Sequence, residues 1–385
     1  MGSDTVGPLG LDEYQQMAIR TYRGTDDGPE RFDFLLLGLF GEVGSLLSEL
    51  KKKQRDRTSY TAYSVTAIEE TGDVLWYLSN LAADLEITLS ELALRAGRLA
   101  NGGAAATFAD LQPQAALLEE PASGPGVQRS LLRLAARAGR AVRRTQELGE
   151  DGDLQSDLAR VLDVLVGAAD QAHVGLERAA GDNLAKLIGR WPQTRHWGDL
   201  YDSDDDPDER FPRQFTIAFR EREIHGTRFA YQSMNGVNIG DRLTDNSADD
   251  DDYRFHDVFH LAFAAILGWS PVLRSLLKVK RKSRPRIDEQ QDGARAMIAE
   301  EGISNWLFAQ GMRHQAFAHV GSLDFALLKT IRDMVKGYEV ETRPMWMWEH
   351  AILRGFAVFR ELQRNRGGLV TADLEQRTLD YEPLV

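Results

Sequence analysis

Five carboxylates crowd two apolar stretches early in the chain: Glu42 and Glu49 in "GLFGEVGSLLSELKKK", and Glu69, Glu70 and Asp73 in "IEETGDVLWYLSNL". On a helical wheel of about 3.6 residues per turn, Glu42 falls beside the arc of Leu36, Leu39, Val43 and Leu46, and Glu49 lies nearly in line with it. Glu70 takes the angular position of Tyr77 and Leu81, with Asp73 one step outside. If the two arcs pack together, Glu42, Glu49, Glu70 and Asp73 meet at one seam. Converging carboxylates repel unless a cation or a proton neutralises them, so the pattern predicts a divalent metal on oxygen ligands. Helix-end electrostatics is the competing explanation. Thr66 and Glu69 have capping-box spacing, and acids in a first turn favour the dipole. That accounts for Glu69 and part of Glu70, but not for Glu42 or Asp73.

A second grouping lies far along the chain. "YRFHDVFHLAFAAILGWSP" sets His256 and His260 one turn apart with Asp257 beside the first, and "AEEGISNW" supplies Glu300 and Glu301. The spacing reads first as buried histidines bonded to neighbouring acids; the alternative is a metal site, since two imidazoles at i, i+4 with a carboxylate from another helix can bind a transition metal. The His-Asp pair also resembles the HD-type phosphohydrolases. Their site needs a further His and Asp, for which His225 and Asp292 or Asp324 are the candidates.

The 385 residues, 43% of them hydrophobic, suffice for two or three domains with cores of their own. No cysteine is present, which excludes disulfides, thiolate metal sites and cysteine nucleophiles and points to magnesium or manganese on oxygen ligands. The formal charge of −13 argues against broad nucleic-acid binding. No run reaches the length of a membrane span and "MGSDTVGPLGLDEY" lacks signal-peptide regions, so a soluble, cytoplasmic protein is expected. The acidic runs "DSDDDPDER" and "DNSADDDD" read as solvated loops, and the basic run "KVKRKSRPRIDEQQDGARAM" as a surface loop paired with acids or a phosphate contact.

The expected fold is mainly α: two tandem helical bundles, residues 11–105 and 127–198, joined by a Gly/Ala/Pro-rich linker at 106–126, then an α+β domain at 199–385. The tandem reading rests on "SLLRLAARAGRAVRRTQEL", which lies on "FLLLGLFGEVGSLLSELKK", and on "SDLARVLDVLVGAADQAHVGLERAA", which lies on "EETGDVLWYLSNLAADLEITLSELA". In the second copy the positions of Glu42, Ser45, Glu70 and Asp73 become Arg137, Arg140, Asp157 and Arg160. In the last domain "RQFTIAFREREI" and "RFAYQSMNGVNIG" predict an antiparallel hairpin, and from 253 onward the pattern reads as helical.

"GLFGEVGSLLSELKK" followed by "EETGDVLWYL" resembles the MazG-like all-α nucleoside triphosphate pyrophosphohydrolases, whose signature is ExxE, a spacer, then ExxD. The resemblance implies magnesium held by Glu42, Glu70 and Asp73, with Ser45 standing where the family has a second acid. It leaves Glu49 or Glu69 as a further ligand or the base that orients water. "LDEYQQMAIRTY" looks like the family's first helix and assigns Gln15 to the nucleotide pocket. "AAGDNLAKLIGRWP" looks like the segment that follows ExxD, and assigns Asn183 and Lys186 to the nucleotide. The last domain resembles a MazG-type C-terminal extension. The activity implied is conversion of a (d)NTP to the monophosphate and pyrophosphate, in a composite site that takes acids from the first copy and basic residues from the second. Self-association is compatible with it. Two alternatives stand beside this: a nucleotide-binding sensor with a site weakened at Ser45, and an HD-like metal phosphohydrolase at His256, Asp257 and His260.

Overall fold

The computed structural model describes residues 7–24, 29–100, 105–113, 121–145, 154–248 and 250–384. It is mainly α, and it divides into two compact units, Met1–Gln193 and Thr194–Val385, each with its own core.

The first unit contains α1 (Leu11–Arg20), α2 (Pro29–Asp56), α3 (Tyr63–Asp84), α4 (Leu89–Arg95), α5 (Phe108–Leu111), α6 (Pro125–Arg143), α7 (Leu154–Ala172) and α8 (Leu176–Arg190). α3 is apolar on nearly every side, with Val74, Leu75, Leu78, Leu81 and Ala82 all buried, as a helix enclosed by others must be. It packs against α1, α2, α7 and α8. The helix begins at Tyr63, a turn earlier than the Thr66 capping box predicts, and Thr66 Oγ1 bonds back to the Ala62 carbonyl at 3.0 Å.

The two helical stretches matched by sequence end alike. α3 ends with Glu86 at φ +59° and α7 with His173 at φ +57°. Ile87 N donates to Ala82 O at 3.0 Å, and Val174 N donates to Ala169 O at 2.9 Å. They form a single core rather than two bundles, because α2 packs on α6 as well as on α3. The stretch read as a linker contributes to this core. Phe108 and Leu111 of α5 are buried, and reciprocal backbone bonds, Leu11 N to Ala106 O and Phe108 N to Leu9 O, tie it to the start of α1. Residues 114–120 of that stretch lie outside the described residues.

The second unit is built on an antiparallel sheet in the order β3-β2-β1-β4-β5, with β1 (Gln214–Ile224), β2 (Thr227–Met234), β3 (Val237–Asn238), β4 (Gly367–Asp373) and β5 (Thr378–Glu382). The hairpin of β1 and β2 is where the sequence places it. The hairpin of β4 and β5 corrects the helical reading of the C-terminus. Its signal is the alternation in "GLVTADLEQRTLDYE" after a Gly-Gly pair, with Val370, Ala372 and Leu379 buried. Helices α9 (Asp257–Ala262), α10 (Pro271–Leu277), α11 (Pro285–Gln290), α12 (Ala294–Arg313), α13 (Phe325–Met334) and α14 (Met345–Asn365) complete the unit. α9 runs on into a π-helical turn at Phe263–Leu267.

The charged runs are solvated only in part: Asp204, Asp206, Asp208, Lys282 and Arg286 are exposed, while a few members of each run turn inward. Arg254 is fully buried and bonded to Glu221, Asp245, Asp250 and Asp252. Asp202 is buried between Arg213 at 2.7 Å and Arg274 at 2.8 Å, and Arg281 of the basic run is buried between Asp292 and Glu339. Burying such charges costs several kcal/mol per ion unless each is paired and hydrogen-bonded, so these runs supply internal counter-ions. Among the described residues no single helix is long and apolar enough to cross a membrane.

Candidate functional site

In the first unit α2 and α3 pack so closely that a Cβ on Gly38 would strike the Tyr77 ring at 2.0 Å. This approach brings Glu42 on α2 to Glu70 and Asp73 on α3, with one carboxylate oxygen of each within 4.8 Å of the others. On the other side of α3, a Cβ at Gly72 would lie 2.5 Å from the Ala179 carbonyl, which fixes α8 against the acids. From α8, Asn183 Nδ2 donates to Asp73 Oδ1 at 2.6 Å and Lys186 Nζ to Asp73 Oδ2 at 2.7 Å. Tyr14 OH donates to Asn183 Oδ1 at 3.3 Å, which turns the amide so that its nitrogen faces the acid. Glu69 lies 3.6 Å from Lys186 Nζ.

The carboxyls show that positive charge is in short supply. Burial raises Glu70, and its hydrogen bond with Glu42 and the charges of Glu42, Asp73 and Glu69 add to this, bringing it to about 8. Burial also raises Glu42, partly offset by its bond to Glu70, and the Ser45 hydroxyl bonds to it as well. Asp73 is raised by burial too, against the opposing pull of Lys186 and Asn183. Tyr77 above the acids is pushed up to about 12 by burial and by Glu42 and Asp73.

The second copy solves the same problem differently. Asp157, at the position of Glu70, is buried and carries ion pairs with Arg144 at 2.6 Å, Arg160 at 3.0 Å and Arg140 at 3.1 Å. Burial works against its charge, yet the guanidinium groups hold it below the ordinary carboxylate range. These three ion pairs lie within the second copy. Where the second copy brings cations, the first brings further acids. Three oxygen donors around a protonated pair are the donor chemistry of a hard divalent ion, so the residues present fit one.

In the second unit, His256 Nε2 stands 3.1 Å from Asp257 Oδ1 and 3.8 Å from Glu301 Oε2, and His260 Nε2 stands 3.5 Å from the same Glu301 oxygen. His260 Nδ1 is 2.8 Å from Glu300 Oε1, and His256 Nδ1 is 2.9 Å from the Tyr253 carbonyl. Burial lowers His256. It also opposes charge on His260, but Glu300 and Glu301 hold that ring well above the ordinary value. The HD-type arrangement is not assembled. Asp292 pairs with Arg281, Asp324 caps α13 through Ala326 N, and His225 sits in the turn between β1 and β2.

The family model for the MazG C-terminal domain matches residues 197–385. The Gene 37 protein of Mycobacterium phage L5 is 34% identical over an alignment of 93 residues that covers 22% of this chain and 80% of that protein. The chain belongs to the MazG-like family. No solved structure matches it.

Two residues assigned to the MazG-like site by sequence stand elsewhere. Glu49 is in line with Glu42 on the wheel, but seven residues carry it about 10 Å along the helix axis. There it bonds Tyr60, Lys52 and Thr66, outside the group of three acids. Gln15 is buried, with Nε2 donating to the Ser79 and Ile87 carbonyls and Oε1 accepting from Leu89 N. Gln112 makes the corresponding bonds in the second copy, to Val174 O and from Leu176 N, so Gln15 is a tether of the fold. Sequence reasoning passes over Tyr14, Gly72 and Tyr77. Tyr14 precedes the glutamine that it does select, and the other two lie within or just beyond the ExxD turn.

Proposed function

We propose that the first unit is a magnesium-dependent nucleoside triphosphate pyrophosphohydrolase that splits a (d)NTP into its monophosphate and pyrophosphate. The observation that carries this reading is the meeting of Glu42, Glu70 and Asp73 with Asn183 and Lys186 from the other copy, in a chain of the MazG-like family. Glu42, Glu70 and Asp73 would hold the ion, which when bound supplies charge neutralisation for the phosphates and a more acidic water. Lys186 brings a cation to the edge of the acid cluster, where an incoming phosphate offers it a second acceptor beside Asp73. Asn183, fixed by Tyr14, keeps Asp73 oriented. Glu69 stands on the same turn as Glu70 and beside Lys186, and is better placed than Glu49 to accept a proton from water. Manganese suits the same oxygen donors.

The test is a screen of the eight common NTPs and dNTPs with magnesium, reading pyrophosphate and monophosphate, with Asp73→Asn as the silent control. Pyrophosphate from the wild type and none from the variant is expected. Orthophosphate or nucleoside as the product refutes the assignment, and tight binding without turnover would make the site a sensor.

A further inference from the structure

The second unit holds a group that this activity does not use. His256 and His260 project from one helical stretch toward Glu301 of α12, and the ligand atoms of the three lie within 4.8 Å of one another. The hydrogen-bond partners decide which nitrogens face inward. The Tyr253 carbonyl can only accept, so His256 Nδ1 carries the proton there. Glu300 is fully buried, and its Oε2 accepts from Val272 N at 2.8 Å while its Oε1 faces His260 Nδ1, so that nitrogen carries a proton too. Both Nε2 atoms are then lone pairs in the neutral rings, and both point at carboxylate oxygens that also only accept.

Acceptors facing acceptors need a cation or additional protons between them. His260 Nε2 is completely buried and has no hydrogen-bond partner. A tetrahedral transition-metal ion with bonds of about 2.0–2.1 Å places its donor atoms roughly 3.3–3.4 Å apart. The 3.5 and 3.8 Å separations from Glu301 Oε2 to the two Nε2 atoms are close to that spacing. The surrounding bonds are those that orient metal-bound imidazoles, a carboxylate on one Nδ1 and a backbone carbonyl on the other. His256 is further fixed by stacking on Tyr253, ring centroids 4.1 Å apart and planes within 2°. Glu301 keeps 46% of its side chain exposed, which gives an ion a way in from solvent.

We infer that the second unit binds a divalent transition metal through His256 Nε2, His260 Nε2 and Glu301, with Glu300 as the positioning residue behind His260. Nitrogen donors select zinc, cobalt or iron over magnesium, so this site is chemically separate from the three acids of the first unit. Three protein ligands leave a coordination position for water, beside Asp257, whose other oxygen is held by Gln232 Nε2.

The test uses the full chain carrying Asp73→Asn, which disables the acid site, stripped with chelator and titrated with cobalt and then zinc. One equivalent of cobalt with the ligand-field absorption of a nitrogen-containing low-coordinate site is expected, displaced by zinc and not by excess magnesium. His260 is fully buried, so Glu301→Gln, on a half-exposed side chain, carries the comparison and should weaken zinc at least tenfold. Glu300→Gln should weaken it by roughly ten- to a hundredfold. Absence of cobalt uptake, equal affinity in Glu301→Gln, or displacement by magnesium overturns the inference and leaves the histidines as imidazolium ion pairs.

Discussion

Magnesium entering the three-acid site is expected to expel a proton. Glu70, held at about 8 by burial and by its bond to Glu42, carries that proton for the pair in the metal-free protein. With that value, metal binding should release about 0.9 proton at pH 7 and about 0.1 at pH 9. The apparent magnesium affinity should therefore rise roughly tenfold from pH 6 to pH 7 and level off above pH 8. Stability follows with the opposite sign. Because the folded value lies above the ordinary 4.5, the contribution of Glu70 to metal-free stability is complete below pH 4.5 and is lost as pH rises from there to about 8. Glu42 and Asp73, also raised, add to the same trend. The assay is calorimetric titration of magnesium in buffers of different ionisation enthalpy at pH 7 and pH 9, with melting curves on the metal-free protein across the same range. Heats that do not depend on the buffer at pH 7, or an affinity flat from pH 6 to pH 8, refute the reasoning. Glu70→Gln should remove the proton release, and release that persists in that variant would place the proton elsewhere.

Three further outcomes follow from the same geometry. Ser45→Glu puts an acid beside Glu42 and should tighten magnesium in the same titration; unchanged or weaker binding would mean that the serine hydroxyl on Glu42 has its own role. Lys186→Ala removes a charge-assisted contact of about 1.5–3 kcal/mol and should raise the Kd of a non-hydrolysable nucleotide analogue roughly tenfold or more, an effect whose absence would separate the second copy from substrate. Gly72→Ala forces a methyl group against the Ala179 carbonyl and Asn183, so a loss of about 1–3 kcal/mol should appear as a lower Tm together with reduced turnover. A variant that keeps both would show that the spacing between α3 and α8 does not set the site.

Legibility in the sequence follows the range of each interaction. The apolar arcs of α2 and α3 declare their own faces because helical periodicity is local, so consecutive residues put Glu42 at the edge of one face and Glu70 and Asp73 at the edge of the other, and packing of the two faces brings them together. Glu49 is misplaced by the same reasoning because a wheel projects angle and discards the distance along the axis. The bonds of Gln15 are not legible because its partners, Ser79, Ile87 and Leu89, are remote in sequence, and only packing brings them to its amide. The buried charges escape for the same reason: Asp202 and Arg274, or Arg281 and Glu339, look like surface residues until the fold pairs them.

The sequence by itself determined the mainly α character, the repeated helical pattern, the first hairpin and the oxygen-donor chemistry of the early acids, because periodicity and residue type are written in consecutive positions. The tertiary structure alone decided the rest. It placed Asn183 and Lys186 of one copy on Asp73 of the other and surrounded Asp157 with three arginines where Glu70 meets two acids. It also turned both histidine Nε2 atoms toward Glu301. Apart from the i,i+3 pair Asp157–Arg160, these are contacts between residues many positions apart, and their electrostatic meaning depends on burial and on the direction a donor or lone pair points, which only packing fixes.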